Sequence, residues 1–302
     1  MKDMNAKSSN LLRSEKLKST SGQSPLLKTK LVKTSRLGLS LRYAEMGDKN
    51  NPTIILLHGV PENLQGWYAV APILAKKYHV LAVDWPGFGG SDPFINSMDY
   101  TSRNYAQIVV DFMDALNIEK TNLVATDIAL LPALLVGLEH ANRVSKLVVM
   151  DGIPFPTQKH SSWELKSFAK KGSFRGKFMV RWFPAISAKI AYIKGFYRGY
   201  SIPKEIQQEF LSDGKTEPTK IAFLSYFQNF HIGQEYFEPR ARNLKVPVQV
   251  IWGENDRFIN PKLAYEIATT LPNTKLTIIK KSGHYVHMDT PREVAEIVTD
   301  FL

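Results

Sequence analysis

Three polar residues stand where apolar runs end, and together they could carry nucleophilic catalysis. Asp127 closes Asn122-Leu-Val-Ala-Thr and opens the apolar stretch Ile128-Ala-Leu. An acid at such a turn makes a good helix N-cap, and taken alone that reading is as strong as any other. The small residues Ala125 and Ala129, two positions to either side, also suit a sharp strand–nucleophile–helix turn. No Gly-x-Ser-x-Gly occurs in the chain. Asp256 follows Val250-Ile-Trp-Gly-Glu-Asn and alone reads as a loop-capping acid before a helix that starts near Pro261. His284, in Lys281-Ser-Gly-His-Tyr-Val-His287, follows a glycine in a loop, where packing gives an imidazole little reason to exist. In the order nucleophile, acid, histidine, each after a strand end, the three are far more specific together than apart.

The residue type decides the chemistry. A carboxylate attacks a saturated carbon bearing a leaving group and forms an alkyl ester, whereas a serine alkoxide suits an acyl carbon. Asp127 therefore points to an epoxide or an alkyl halide, a small apolar substrate. His284, oriented by Asp256, would then activate water against the ester. The chain has no cysteine, which removes a thiolate nucleophile and thiolate zinc sites, and the scheme calls for no metal or cofactor.

Elements must place these groups at strand ends. From about residue 31 to 151, short β-branched runs alternate with helical patterns, the mark of a mostly parallel sheet covered by helices. Strands are expected at 39–45, 53–57, 80–83, 122–125 and 146–150, and helices at 67–76, 102–116 and 128–139. The pattern then turns helical, aromatic and basic until strands resume at 248–252 and 276–279, with helices at 261–270 and from Pro291. The expected layout is an α/β core over 31–153 and 243–302, interrupted at 154–242 by a helical cap over the carboxyl ends of the strands, where ligands of open sheets bind. Residues 1–30, rich in Lys and Ser, are expected to be a disordered basic tail.

The net charge of +11 is uneven. Residues 1–36 hold nine Lys/Arg against two acids, and 157–220 hold thirteen against five, leaving −4 elsewhere. No nucleic-acid-binding module accompanies this charge, so no nucleic-acid partner is expected. The stretch 166–181 interleaves six basic residues with Phe168, Phe174, Phe178 and Met179 and contains no acid. A solvated helical face explains it most simply, and contact with an anionic membrane surface is the sharper alternative. The first thirty residues contain no apolar signal-peptide core, and the longest apolar run is too short to cross a bilayer, so a cytoplasmic protein is expected.

From about residue 30 to 302 the chain resembles the α/β-hydrolase-fold enzymes of the epoxide hydrolase and haloalkane dehalogenase group. Besides Asp127, Asp256 and His284, it has His58-Gly59-Val60-Pro61, matching the epoxide hydrolase H-G-x-P motif. It also has Asp84-Trp-Pro-Gly87-Phe-Gly89-Gly-Ser91, matching that group's D-x-x-G-x-G-x-S. The resemblance implies a mostly parallel sheet of about eight strands, flanked by helices, with an inserted helical cap. It implies an oxyanion hole from the N–H groups of Val60 and Ile128, with Pro61 shaping the loop. Asp151 is a rival orienting acid, because some dehalogenases place theirs there.

The same resemblance bears on the leaving group. Haloalkane dehalogenases typically hold the halide with a Trp after the nucleophile and an Asn or second Trp nearby, and fluoroacetate dehalogenases carry Arg after the nucleophile. Here those places hold Ile128 and Val60, which favours an epoxide. An epoxide oxygen needs a proton, which cap tyrosines supply in the family. Tyr226, Tyr192, Tyr197 and Tyr200 are the candidates, although a shift of one residue would put Phe227 in place of Tyr226. Thr126 stands for the family's usual His, and Leu130 for a small residue, which is expected to push the helix outward or narrow the pocket. Haloalkane dehalogenation is the alternative reaction, and an inactive binding or scaffold protein on the same fold is the alternative of another class.

Overall fold

The computed structural model describes residues 24–156, 158–169, 178, 180–182, 184–197 and 202–302. Eight strands form one sheet: β1 (Thr29–Lys33), β2 (Ser40–Met46), β3 (Thr53–Leu57), β4 (His79–Val83), β5 (Thr121–Thr126), β6 (Val144–Met150), β7 (Val248–Gly253) and β8 (Thr274–Ile279). Their order is β1-β2-β4-β3-β5-β6-β7-β8. β2 pairs antiparallel with β1 and β4, and all other pairs are parallel. Every residue of β4, β5 and β7 is buried, as expected of parallel strands covered on both faces.

The period of two along each strand divides the core. Ile55, Leu57, Leu123, Ala125, Leu147 and Val149 face one layer, with helices α1 (Ser102–Ala115) and α2 (Leu130–Glu139). Ile54, Leu56, Val124, Val148 and Met150 face the other, with Leu74 and with Val294 and Val298 of the C-terminal helix Pro291–Phe301. Thr101 caps α1 by accepting the N–H of Asn104 at 3.2 Å.

Between β6 and β7 the described elements are helices: α3 (Trp163–Ala169), α4 (Pro184–Gly195), α5 (Lys204–Asp213) and α6 (Glu217–Phe237). Tyr226, Phe227, Phe230 and Phe237 of α6 join the sheet's larger core cluster. After β7 come α7 (Lys262–Thr270) and, following β8, α8, the C-terminal helix.

Two expectations change. The ordered chain begins before residue 31, because β1 starts at Thr29 and Leu27 is buried, its N–H donating to Gln65 Oε1 at 2.7 Å. The helix expected at 67–76 is a 3-10 turn, Leu64–Trp67, followed by the single turn Ala71–Leu74. Residues 1–23 and 170–177 lie outside the described residues, and the second span makes up half of the basic stretch 166–181 by number.

Candidate active site

Asp127 is placed by the end of β5. Its φ of +53° is left-handed, a region that Asp enters more readily than most residues and that recurs at strained functional turns. The space for this turn comes from glycines. A Cβ on Gly59 would lie 2.6 Å from Asp127 Cβ, and one on Gly152 would lie 2.3 Å from the Asp127 carbonyl oxygen.

The Asp127 carboxylate divides its contacts. Oδ1 accepts the backbone N–H of Ile128 at 2.5 Å and of Val60 at 3.2 Å. Oδ2 lies 3.1 Å from His284 Nε2. The carboxylate therefore faces an imidazole and two amides instead of satisfying the later N–H groups of α2, which sets the helix-cap reading aside.

His284 is held from behind. Its Nδ1 lies 2.9 Å from Asp256 Oδ2, while Asp256 Oδ1 accepts the N–H groups of Phe258 at 2.8 Å and Ile259 at 2.9 Å. Asp256 thus caps its loop with one oxygen and orients the imidazole with the other. Burial opposes a charge on His284, but the Asp256 and Asp127 carboxylates outweigh it and hold the imidazolium well above the usual histidine range. The backbone N–H of His284 donates to Gly195 O at 2.7 Å, and that of Gly283 to Asp289 Oδ2 at 2.7 Å.

Asp151 has no hydrogen bond to His284. It is fully buried with φ +47°, its Oδ1 accepts the Gly253 N–H at 3.2 Å, and Oδ2 has no partner among the described residues. Burial, with the Asp256 charge adding to it, pushes its carboxyl well above the ordinary range. It stands behind the chain of contacts, without touching the imidazole.

The His58-Gly59-Val60-Pro61 loop is equally determined. His58 Nε2 accepts the Trp85 N–H at 3.1 Å, so the ring proton belongs on Nδ1, 2.7 Å from Gly59 O. Burial drives this histidine down to about 4, so it stays neutral. Glu62 Oε1 accepts the Gly59 N–H at 3.0 Å, and its Oε2 pairs with buried His287 Nε2 at 3.0 Å.

A cavity of about 110 Å³ opens above these groups at the carboxyl ends of the strands. Val60, Asp127, Phe258, His284 and Tyr285 form its floor, and Phe168, Ala188, Phe210, Phe223 and Phe227 from the helical segment face it. The tyrosines singled out for acid work are differently employed. Tyr226 is buried, with its hydroxyl 2.8 Å from Ile128 O and 2.9 Å from Ser102 Oγ, and Phe227 takes the cavity position instead. Tyr192 donates to Pro61 O at 2.7 Å. Tyr197 is not among the cavity residues, its backbone N–H donating to Asp289 Oδ2 at 2.9 Å, and Tyr200 lies outside the described residues.

Tyr285 is the residue that sequence reasoning missed. It lines the cavity beside His284, and no described residue hydrogen-bonds to its hydroxyl. Its place directly after the histidine was the available signal. Leu130 is fully buried in the core and is not among the cavity residues, and its Cβ occupies the space that a side chain on Gly152 would need, 2.6 Å away. Thr126, also buried, ends β5.

The sequence pattern described as alpha/beta hydrolase fold matches residues 52–291, from the start of β3 to the start of α8. The chain belongs to the alpha/beta hydrolase fold family. This hydrolase is 27% identical over 281 residues to epoxide hydrolase 3 of Xenopus tropicalis, covering 88% of this chain and 75% of that one. It is 25% identical over 287 residues to a 2-hydroxy-6-oxononadienedioate/2-hydroxy-6-oxononatrienedioate hydrolase of Dechloromonas aromatica, covering 90% and 93%. A carboxylesterase structure from Bacillus subtilis superposes with a TM-score of 0.76 at 20% identity, over 91% of this chain and 92% of that one, a likeness of fold alone. No helix among the described residues is long and apolar enough to cross a membrane.

Proposed function

We propose that this hydrolase converts an epoxide and water to a vicinal diol through an alkyl ester on Asp127. The observation that carries the reading is the division of the Asp127 carboxylate between the two amides and His284. Oδ2 attacks an epoxide carbon, the C–O bond breaks, and the released oxygen takes a proton. Tyr285 is the donor in this scheme, since it lines the same cavity and no described residue hydrogen-bonds to its hydroxyl. Oδ1 then becomes the ester carbonyl oxygen, already aimed at by the N–H groups of Val60 and Ile128.

Alkylation removes the Asp127 charge and with it one of the groups that keep His284 protonated. The imidazolium gives its proton up to the Tyr285 phenolate, and the neutral imidazole then takes a proton from water, whose oxygen attacks the ester carbon. The two amides stabilise the oxyanion. Collapse releases the diol, which takes the proton from His284; the remaining water proton then passes from the Asp127 carboxyl to His284, restoring the carboxylate with one oxygen from water and the imidazolium.

The similarity to epoxide hydrolase 3 supports the substrate class. Halide displacement is less well served. The Val60 and Ile128 amides are already bonded to Asp127, and no Trp side chain lines the cavity. An inactive scaffold would have no use for the continuous Asp127–His284–Asp256 contacts.

Incubation with aliphatic, aromatic and fatty-acid epoxides tests the reading. Diol formation by the wild type and its loss in Asp127→Asn are expected. In His284→Gln the ester should accumulate, seen by mass spectrometry as a gain of one epoxide mass on the peptide containing Asp127. Inactivity across all three classes, or halide release from bromoalkanes without diol formation, would overturn it.

A further inference from the structure

Helix α4 has two different apolar faces. Pro184, Ser187, Ala188 and Ala191 line the cavity. On the outside, Ile186, Ile190 and Ile193 recur at spacings of four and three, one stripe of a helix, and are 52%, 52% and 68% exposed. Trp182, just before the helix, is 67% exposed. A helix that only roofed a cavity would turn polar residues outward, and large apolar groups gathered in water mark an interaction surface.

The charge around the stripe selects its partner. Five Lys/Arg of the segment 158–195 belong to described residues: Lys159, Arg181 and Lys194 pair with Glu266, Glu217 and Glu164, while Lys166 and Lys189 are exposed and have no ion pair with a described residue. Glu164 is matched by Lys194 at 2.7 Å, a pair that joins α3 to α4 next to the exposed Trp163. Lys189 lies beside the stripe. A second copy of this surface would bring like charges together, whereas an anionic bilayer satisfies both the apolar stripe and the basic surround.

We propose that the outer face of α4 docks on an anionic lipid bilayer. Trp182, Ile186, Ile190 and Ile193 enter the boundary between headgroups and acyl chains, and the exposed Lys189 and Lys166 face the headgroups. Since the inner face of the same helix lines the cavity, docking sets the site against the membrane. Resting on the epoxide reading above, this makes the substrate a lipophilic epoxide dissolved in the bilayer.

Co-sedimentation of the full chain with vesicles tests the docking. The protein should pellet with phosphatidylcholine vesicles containing phosphatidylserine and far less with phosphatidylcholine alone. The variant Ile186→Ser/Ile190→Ser/Ile193→Ser should lose most of this binding while melting like the wild type. Lys189→Glu, a milder exposed change, should weaken it. Asp127→Asn should bind as the wild type does, so docking and chemistry succeed or fail separately. The proposal is overturned if the wild type stays in the supernatant with anionic vesicles, or if the triple variant pellets equally well. It is also overturned if the stripe proves to hold a wild-type dimer that the triple variant dissolves in size exclusion.

Discussion

The Tyr226 hydroxyl stands 2.8 Å from the carbonyl oxygen of Ile128, the residue that follows Asp127. It is also 2.9 Å from Ser102 Oγ, so α6 is tied at one point to both the elbow and the start of α1. Burial pushes this phenol well above its ordinary range, and both of its contacts are inside the protein. Tyr226 is therefore a positioning residue. Tyr226→Phe leaves a buried carbonyl with one partner fewer, a cost of about 1–3 kcal/mol. Urea unfolding should show that loss, while kcat on an epoxide falls only a few fold. A loss of turnover without loss of stability would instead make Tyr226 the acid.

Tyr285 should behave in the opposite way. No described residue depends on its hydroxyl, so Tyr285→Phe is expected to leave the melting temperature nearly unchanged. Loss of a proton donor to the leaving oxygen should lower the rate of ester formation by about 10²–10⁴-fold. Rapid-quench measurement of the Asp127 ester separates this step from its hydrolysis, which should be unaffected. An unchanged rate of ester formation would remove Tyr285 from the mechanism.

The sheet was legible because its strands are apolar runs of the right length. Thr53–Leu57 matches expectation residue for residue, and the other strands differ only at their ends. β1 was missed because Thr29–Lys33 is an edge strand, almost wholly exposed, with no buried face to impose a pattern. That Asp127, Asp256 and His284 come together could be read because each follows a strand end, and the strand ends of a parallel sheet share one edge. The tyrosines could not, because helical phase decides which residue of α6 faces the cavity. One step of about 100° separates Tyr226, bonded to the elbow, from Phe227, on the cavity wall. The packing of Leu130 likewise could not be read, because its neighbour Gly152 is distant in sequence.

Asp256 and Asp151 are separated by contact with the imidazole. Asp256→Asn replaces a carboxylate that bonds His284 Nδ1 and should lower turnover by up to about 10⁴-fold. Asp151→Asn changes a carboxyl that bonds the Gly253 N–H and not the imidazole, and whose charge burial disfavours, so a change of a few fold is expected. Both are checked by steady-state kinetics on the same epoxide. A larger loss at Asp151 would reverse the two roles.

The charge on His284 gives the pH dependence its sign. In the ester intermediate His284 must be neutral to act as base, so hydrolysis of the ester should slow as pH falls below the pKa that His284 has in that state and level off above it. Asp256 raises that pKa, so the residual activity of Asp256→Asn should keep its rate to lower pH than the wild type. Stability runs the other way. A folded-state pKa above the ordinary histidine value of 6.5 contributes fully below 6.5 and is lost as pH rises through the folded value. Urea unfolding of wild type and His284→Gln should therefore show the wild type's advantage shrinking toward alkaline pH. A single-turnover rate that does not change between about pH 5 and about pH 9 would contradict a base of this kind.

Gly152 tests whether the elbow itself sets the geometry. A Cβ there would lie 2.3 Å from the Asp127 carbonyl oxygen and 2.6 Å from Leu130 Cβ, and neither atom is the free end of a flexible side chain. Gly152→Ala must therefore move the backbone that holds Asp127 at φ +53°. Such a shift lengthens the contacts of Asp127 with His284 and with the two amides together. Turnover should fall by about 10²-fold or more, as misplacements of about 1 Å do, with a lowered melting temperature. Because α2 moves with Leu130, the melting loss should exceed that of Tyr285→Phe. Full activity in Gly152→Ala would mean that the turn adjusts freely and that Asp127 is not held for catalysis by this packing.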